Sequence, residues 1–143
     1  QRGYKWFFRT TPHDGMFAKQ HVEFVNWLNK KYNAGIHTIA IIHEDTEWGT
    51  GTANAWKEYF SEAGYKIVKV VSYHAATVTS LDSEVADLKA AHPDMVLVAS
   101  YVSDAILFVE TCKKLDFNPK AILAQDAGFI VPSYVKQVGK DGF

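Results

Sequence analysis

The sequence predicts an α/β fold: a three-layer open parallel sheet of about five strands with helices on both faces. Three observations predict it. Short β-branched or aromatic runs alternate with amphipathic helical stretches along the whole chain. No pair of apolar runs is joined by the tight Gly or Asn turn that marks a hairpin. The run at 94–99 (DMVLVA) is apolar on both faces, as strands buried between two helical layers are.

The elements follow in order. Residues 4–9 are aromatic-rich, end at Thr10-Thr11-Pro12 and read as a first strand. Asp14 fits an N-cap, and Phe17, His21, Phe24, Val25, Leu28 and Tyr32 then fall at helical spacing until a stop near Asn33-Ala34-Gly35. Next comes the stretch that organises the chain, HTIAIIHEDTEWGTG at 37–51: an apolar run at 39–42, a polar turn at 43–46, and a glycine-punctuated helix at about 49–63. Residues 66–73 form a third strand, and 80–91 a helix with Ser80 as a cap and Pro93 as its close. The strand at 94–99 leads to a helix capped by Ser103. Pro119 introduces a short strand at 121–124, residues 125–128 form its exit loop, and a last helix starts near Pro132 and ends before Gly139.

Parallel strands with right-handed crossovers place every strand's carboxyl end on one rim, where residues 9–14, 43–48, 73–75, 100–103 and 125–128 gather. The opposite rim carries plain connectors.

Composition narrows the function. The 143 residues are 48% hydrophobic and 14% aromatic, enough to hide roughly two thirds of the unfolded surface in one domain spanning 1–143. A formal net charge of −1 offers no electrostatic footprint for nucleic acid or an anionic membrane. Apolar runs stay well short of the ~20 residues that cross a bilayer. One cysteine, Cys112, excludes an internal disulfide and sits on an apolar helical stripe. The start without Met and the close spacing of elements to both ends predict a fragment of a longer protein.

Gly49-Thr50-Gly51 resembles a dinucleotide fingerprint, but Asn54 replaces its third glycine and a polar turn intervenes. Two other readings stand beside it: a tight helix entry, or a helix N-terminus facing a small anionic ligand group or an acidic loop. His13, Asp14, His43, Glu44, Asp45, His74 and Asp126 lie near the rim, yet none has zinc-motif spacing, and no cofactor is expected. Ser100 follows a strand without a G-x-S-x-G context. Trp48, Tyr73 and Tyr101 bring rings to strand ends. There they either cover loop backbone or bury the apolar part of a small ligand whose ammonium Glu44 or Asp126 accepts.

Taken together, FFRTTPHD at 7–14, TIAIIHEDTEWGTG at 38–51 and PDMVLVASYVSDA at 93–105 resemble the second lobe of type I periplasmic substrate-binding proteins of ABC transporters, the Leu/Ile/Val-binding type. The resemblance implies a non-enzymatic lobe that holds an amino acid or similar small metabolite against a missing first lobe. It further implies delivery to a membrane permease, and residence in the periplasm or, with a lipid anchor, on the cell surface. By motif position, Trp48 would pack on the ligand, Tyr101 would touch its side chain or backbone, and Asp126, or Gln125 beside it, would pair with its ammonium. Glu44, Tyr73, Ser100 and Gly128 are neighbouring candidates. Trp48 replaces the family's usual Tyr, Asp126 its usual Glu, and Asp116 stands where a helix-ending Gly is common. Two alternatives stay open: an α/β enzyme using Asp126 with His43 or His74 as acid and base, and the sensory ectodomain of a receptor with the same fold. An isolated lobe, with its cleft face open, is expected to self-associate.

Overall fold

The computed structural model describes residues 5, 6, 8, 10–125 and 128–142. The order is α1 (Asp14–Tyr32), β1 (Thr38–Glu44), α2 (Glu47–Glu62), β2 (Lys66–Tyr73), α3 (Asp82–Ala90), β3 (Met95–Ala99), α4 (Val102–Lys114), β4 (Ala121–Gln125), α5 (Pro132–Val138) and a closing 3-10 turn, Gly139–Gly142. All strand pairings are parallel, and the sheet order is β2-β1-β3-β4. Of the strand expected at 4–9, Tyr4, Phe7 and Arg9 lie outside the described residues, while Lys5 and Trp6 form a turn and Phe8 has no regular structure. Among the described residues the sheet therefore has four strands.

Side-chain alternation along β1 builds the two layers. Ile39 and Ile41 face α1 and α2, packing with Val25, Trp56 and Phe60; Ala40 and Ile42 face α3 and α4, packing with Leu81, Val85, Leu88 and Phe108. Every one of these is buried, and each large side chain contributes about 1.5–3 kcal/mol of transfer free energy. A smaller cluster joins α4 to α5 through Ala105, Ile106, Tyr134 and Val138. Cys112 lies inside the second layer, where burial pushes its thiol up to about 12.

Polar staples fix the joints. Trp56 donates its indole N–H to His21 Nδ1 at 2.9 Å, tying α2 to α1. Asn29 Oδ1 accepts from the Ile36 N–H at 2.9 Å and its Nδ2 donates to the Ile36 carbonyl at 2.8 Å, closing the chain after the left-handed Asn33 (φ 52°). At the amino ends of the strands, Asp94 Oδ2 accepts from the N–H groups of His37 and Thr38, both at 2.9 Å, and from the Thr38 hydroxyl at 3.0 Å. Its Oδ1 meets Lys120 Nζ at 2.7 Å. One carboxylate thus ties β1, β3 and the entry to β4 together. Asp116 takes up the left-handed geometry its glycine-like position demands, with φ 50°.

Four boundaries differ from expectation at the site: α2 starts at Glu47 rather than about residue 49, β4 runs on through Gln125 instead of ending at 124, and the end of β1 and the start of α4 also shift. β1 runs through His43 and Glu44, whose partners on β2 are Ser72 and Tyr73, so these polar residues finish a strand rather than begin a turn. The helix expected to be capped by Ser103 begins two residues earlier, with Tyr101 as its N-cap. Away from the site, His13 rather than Asp14 is the N-cap of α1, and Leu81 rather than Ser80 that of α3.

Candidate functional site

The sheet order creates a topological switch point. From β1 the chain crosses outward to β2, and from β3 it crosses the other way to β4, so the connections diverge above the β1 and β3 tips. Open α/β sheets hold their ligands in the crevice that this divergence leaves. Here it is occupied by Trp48 from the start of α2 and Tyr101 from the start of α4, with ring centroids 5.2 Å apart at a 43° tilt. Tyr101 is 43% exposed, Trp48 half-buried: their rings meet each other and still face solvent.

Each ring is set by a buried carboxylate. Glu44 is fully buried; its Oε2 accepts from the Thr46 N–H and its Oε1 from the Thr46 hydroxyl and the Gly49 N–H, all at 2.7 Å. That clamp bends the chain from β1 into α2 and so aims Trp48. It also explains Gly49, since a Cβ there would lie 2.2 Å from the Glu44 carbonyl oxygen and 2.4 Å from Oε1. The Gly-x-Gly motif is therefore an answer to a buried acid, and the helix N-terminus that was open to an external anion is already satisfied by the chain's own carboxylate. On the other side Asp104 Oδ2 accepts from the Tyr101 N–H at 3.1 Å and from the Tyr73 hydroxyl, fixing the entry to α4. Burial, then the hydrogen bond to Asp104 and its charge, push the Tyr73 phenol well above its ordinary range.

The remaining candidates fall around this pair. Ser100 and Gln125 are buried beneath the rim at the ends of β3 and β4, and Ala99 pairs with Gln125 in the ladder. Gln125 Nε2 donates to Thr52 Oγ1 at 3.4 Å, while among the described residues Gln125 Oε1 makes no hydrogen bond and Ser100 Oγ none of good geometry. Buried polar atoms are mostly hydrogen-bonded, so these two leave spare hydrogen-bonding capacity in the floor among the described residues. Gly128 brings the exit loop of β4 onto this floor, for a Cβ there would lie 2.6 Å from the Ser100 carbonyl oxygen and 2.7 Å from that of Tyr101. Asp126 lies outside the described residues. Glu44 and Tyr73 sit under the rim with their polar atoms engaged inward.

The rim histidines are engaged as well. His43 is buried, its Nδ1 donating to the Glu44 carbonyl at 2.8 Å. His74 is exposed and bonds the Asp45 carboxylate, which also accepts from the Ala75 N–H at 3.1 Å. The Ala75 N–H and His74 hold the Asp45 carboxyl below its ordinary value against a smaller upward push from desolvation. Among the described residues no group of His, Cys, Asp and Glu could hold a metal ion, and no helix is long and apolar enough to cross a membrane.

Reading the sequence brought Trp48 and Tyr101 to the site but missed Asp104 and Thr52. Asp104 was findable: an acid three residues after a helix N-cap has capping-box spacing, concealed here because the cap is a tyrosine.

A parallel sheet whose crossovers diverge at a switch point capped by two rings defines a doubly wound α/β lobe as a class. The chain belongs to the periplasmic binding protein family, whose model matches residues 1–143. It is similar to the Leu/Ile/Val-binding protein homolog 7 of Brucella abortus, at 34% identity over 98% of this chain and 36% of that protein. The same organism's homolog 8 is 30% identical over 98% of this chain and 35% of its own length. Among solved structures, a leucine binding protein from Thermotoga maritima superposes with a TM-score of 0.81 at 18% identity, covering 98% of this chain and 38% of that one. A leucine-, isoleucine-, valine-, threonine- and alanine-binding protein from Brucella ovis gives 0.75 at 18%, over 94% and 33%. The chain thus spans about a third of the length of the relatives it matches. Relatives and fold alike are those of binding proteins rather than enzymes.

Proposed function

We propose that this chain is one lobe of a two-lobed solute-binding protein serving an ABC permease, and that it holds an amino acid or similar small metabolite at the β1/β3 switch point. The observation that carries the reading is the Trp48–Tyr101 pair, two partly solvated rings held by buried carboxylates where the crossovers diverge. Rings of this kind take the apolar part of a ligand. The buried floor of Ser100 and Gln125 supplies polar contact. Asp126, next in the chain after Gln125, supplies the charge for an ammonium. The start of α2 is spent on Glu44, which favours placing the ligand's anionic end on the first lobe, on the far side of the cleft. The names of the Brucella relatives favour a branched-chain amino acid as ligand. The family's namesake compartment, the periplasm, is the proposed location, with a lipid anchor on the cell surface as the variant of that reading.

The test is a thermal-shift screen of free amino acids on the full-length protein, followed by Trp48→Ala and Tyr101→Ala. We expect a ligand-induced shift that both substitutions abolish while unliganded stability changes by no more than about 1 kcal/mol. A variant that keeps the full shift would overturn the assignment. On the 143-residue chain alone, calorimetry should find binding weaker than micromolar, because half of the contacts and all of the closure are missing.

A further inference from the structure

The outer face of α1 carries apolar surface that the core does not use. Its inner stripe is Ala18, Val22 and Val25. On the opposite side Phe24 is 45% exposed, Trp27 44% and Tyr32 59%. These rings touch one another: Phe24 stacks on Trp27 at 5.8 Å and 20°, and Tyr32 meets Trp27 edge-on at 5.3 Å. Lys31 Nζ lies 4.8 Å from the Trp27 centroid and 5.1 Å from that of Tyr32. Three linked rings on a solvent face form a patch rather than scattered apolar residues, and such a patch marks a contact surface.

The pattern on the helix says what fits it. Gln20, Phe24, Trp27 and Lys31 are spaced 4, 3 and 4 residues apart, the alternation of a coiled-coil seam, with Glu23 and Lys30 flanking it on one side. If a second α1 lies antiparallel on the first about a two-fold axis, Phe24 faces Trp27 of the second copy and Gln20 faces Lys31. In the same register Glu23 of each copy meets Lys30 of the other, so the charges are self-complementary, as an isologous contact requires. In a parallel arrangement Lys31 would face Lys31 across the seam, which like-charge repulsion disfavours, and Glu23 and Lys30 of the two copies would lie on opposite flanks, out of each other's reach. We propose that the outer face of α1 is a homodimer contact, with two α1 helices packed antiparallel through Phe24 and Trp27. It is independent of the rim reading and gives the expected self-association a different surface from the open cleft.

Area sets the strength. The three rings leave roughly 300 Å² of apolar surface per copy, well below the ~800 Å² per partner of a standard stable interface. The dimer is therefore weak, on the order of 100 µM, and concentration-dependent. Sedimentation equilibrium of the chain from micromolar to about 1 mM should show a monomer–dimer equilibrium. Trp27→Glu should raise its dissociation constant by at least about tenfold. Glu23→Lys alone should weaken it, and adding Lys30→Glu to that variant should restore it, since the swap keeps opposite charges facing. Restoration is the outcome a folding defect cannot produce, and circular dichroism checks each variant's fold. A chain that stays monomeric throughout the range, or a dimer indifferent to both Trp27→Glu and Glu23→Lys, overturns the proposal.

Discussion

The two rims of the sheet use hydrogen-bonded acids for opposite ends. At the amino-end rim, Asp94 spends its carboxylate on two backbone N–H groups, a hydroxyl and a lysine, and nothing around it is left open. At the carboxyl-end rim, Glu44 and Asp104 also bind backbone N–H groups, but each does so beside a ring that it turns outward, above a floor with under-satisfied polar atoms. The first arrangement joins strands. The second holds two rings over a floor with unpaired polar atoms, and the difference teaches that a rim's role is read from what lies beside its acids, since both rims are rich in hydrogen bonds.

The sharpest way to break the comparison is at Gly49. Gly49→Ala places a methyl against the Glu44 carbonyl and carboxylate, and should cost about 3 kcal/mol or more in urea denaturation because backbone must move. A loss under about 1 kcal/mol would mean the Glu44 clamp is looser than its geometry implies. Next in size is Asp94→Asn at about 2 kcal/mol, accompanied by no change in ligand response. Partial burial pushes the Asp94 carboxyl up, but Lys120 and the His37 and Thr38 N–H groups outweigh it and hold the group far below its ordinary 3.8. A depressed carboxyl contributes its full stability above the unfolded value and loses it as acid protonates the folded form. The stability gap between the wild type and the Asp94→Asn variant should therefore be constant near neutrality and shrink as pH falls below about 3.8; a gap that persists unchanged to lower pH contradicts the charge-based account.

A smaller effect lies in the helix layer, away from both rims. Burial lowers the His21 imidazole below 6.5, and its Nδ1 must stay unprotonated to accept from Trp56. For a base whose folded value is depressed, stability is full above the unfolded value and falls as pH drops through 6.5 toward the folded one. Thermal melts of the wild type should thus lose ground between neutral pH and about pH 5, and His21→Gln should flatten that slope. An unchanged slope in the variant assigns the acid sensitivity elsewhere.

Much of this was legible beforehand because the apolar periodicity is strong. Residues 66–73 read correctly to the residue, and α1, β3 and β4 nearly so, since runs such as Val68-Lys69-Val70-Val71 and Met95–Ala99 admit little else. What escaped notice was polar residues used as interior ones. Glu44 read as turn because an acid is rarely buried, and no local pattern announces that Thr46 and Gly49 will supply its three donors. Tyr101 read as loop, because a tyrosine N-cap has no side-chain signature. The convergence of Trp48 with Tyr101 was expected from the crossover rule, whereas the carboxylates that aim them needed coordinates.

The strand order carries one last consequence, about time. β1, α2 and β2 are contiguous and can pair early, but β3 must enter on the far side of β1 after a detour through β2 and α3. Closing so long a loop is the slow step in folds of this kind. The two rings at the rim come from opposite sides of that closure, so no intermediate lacking β3 can hold them together. The ring pair and the sheet are therefore completed in the same step.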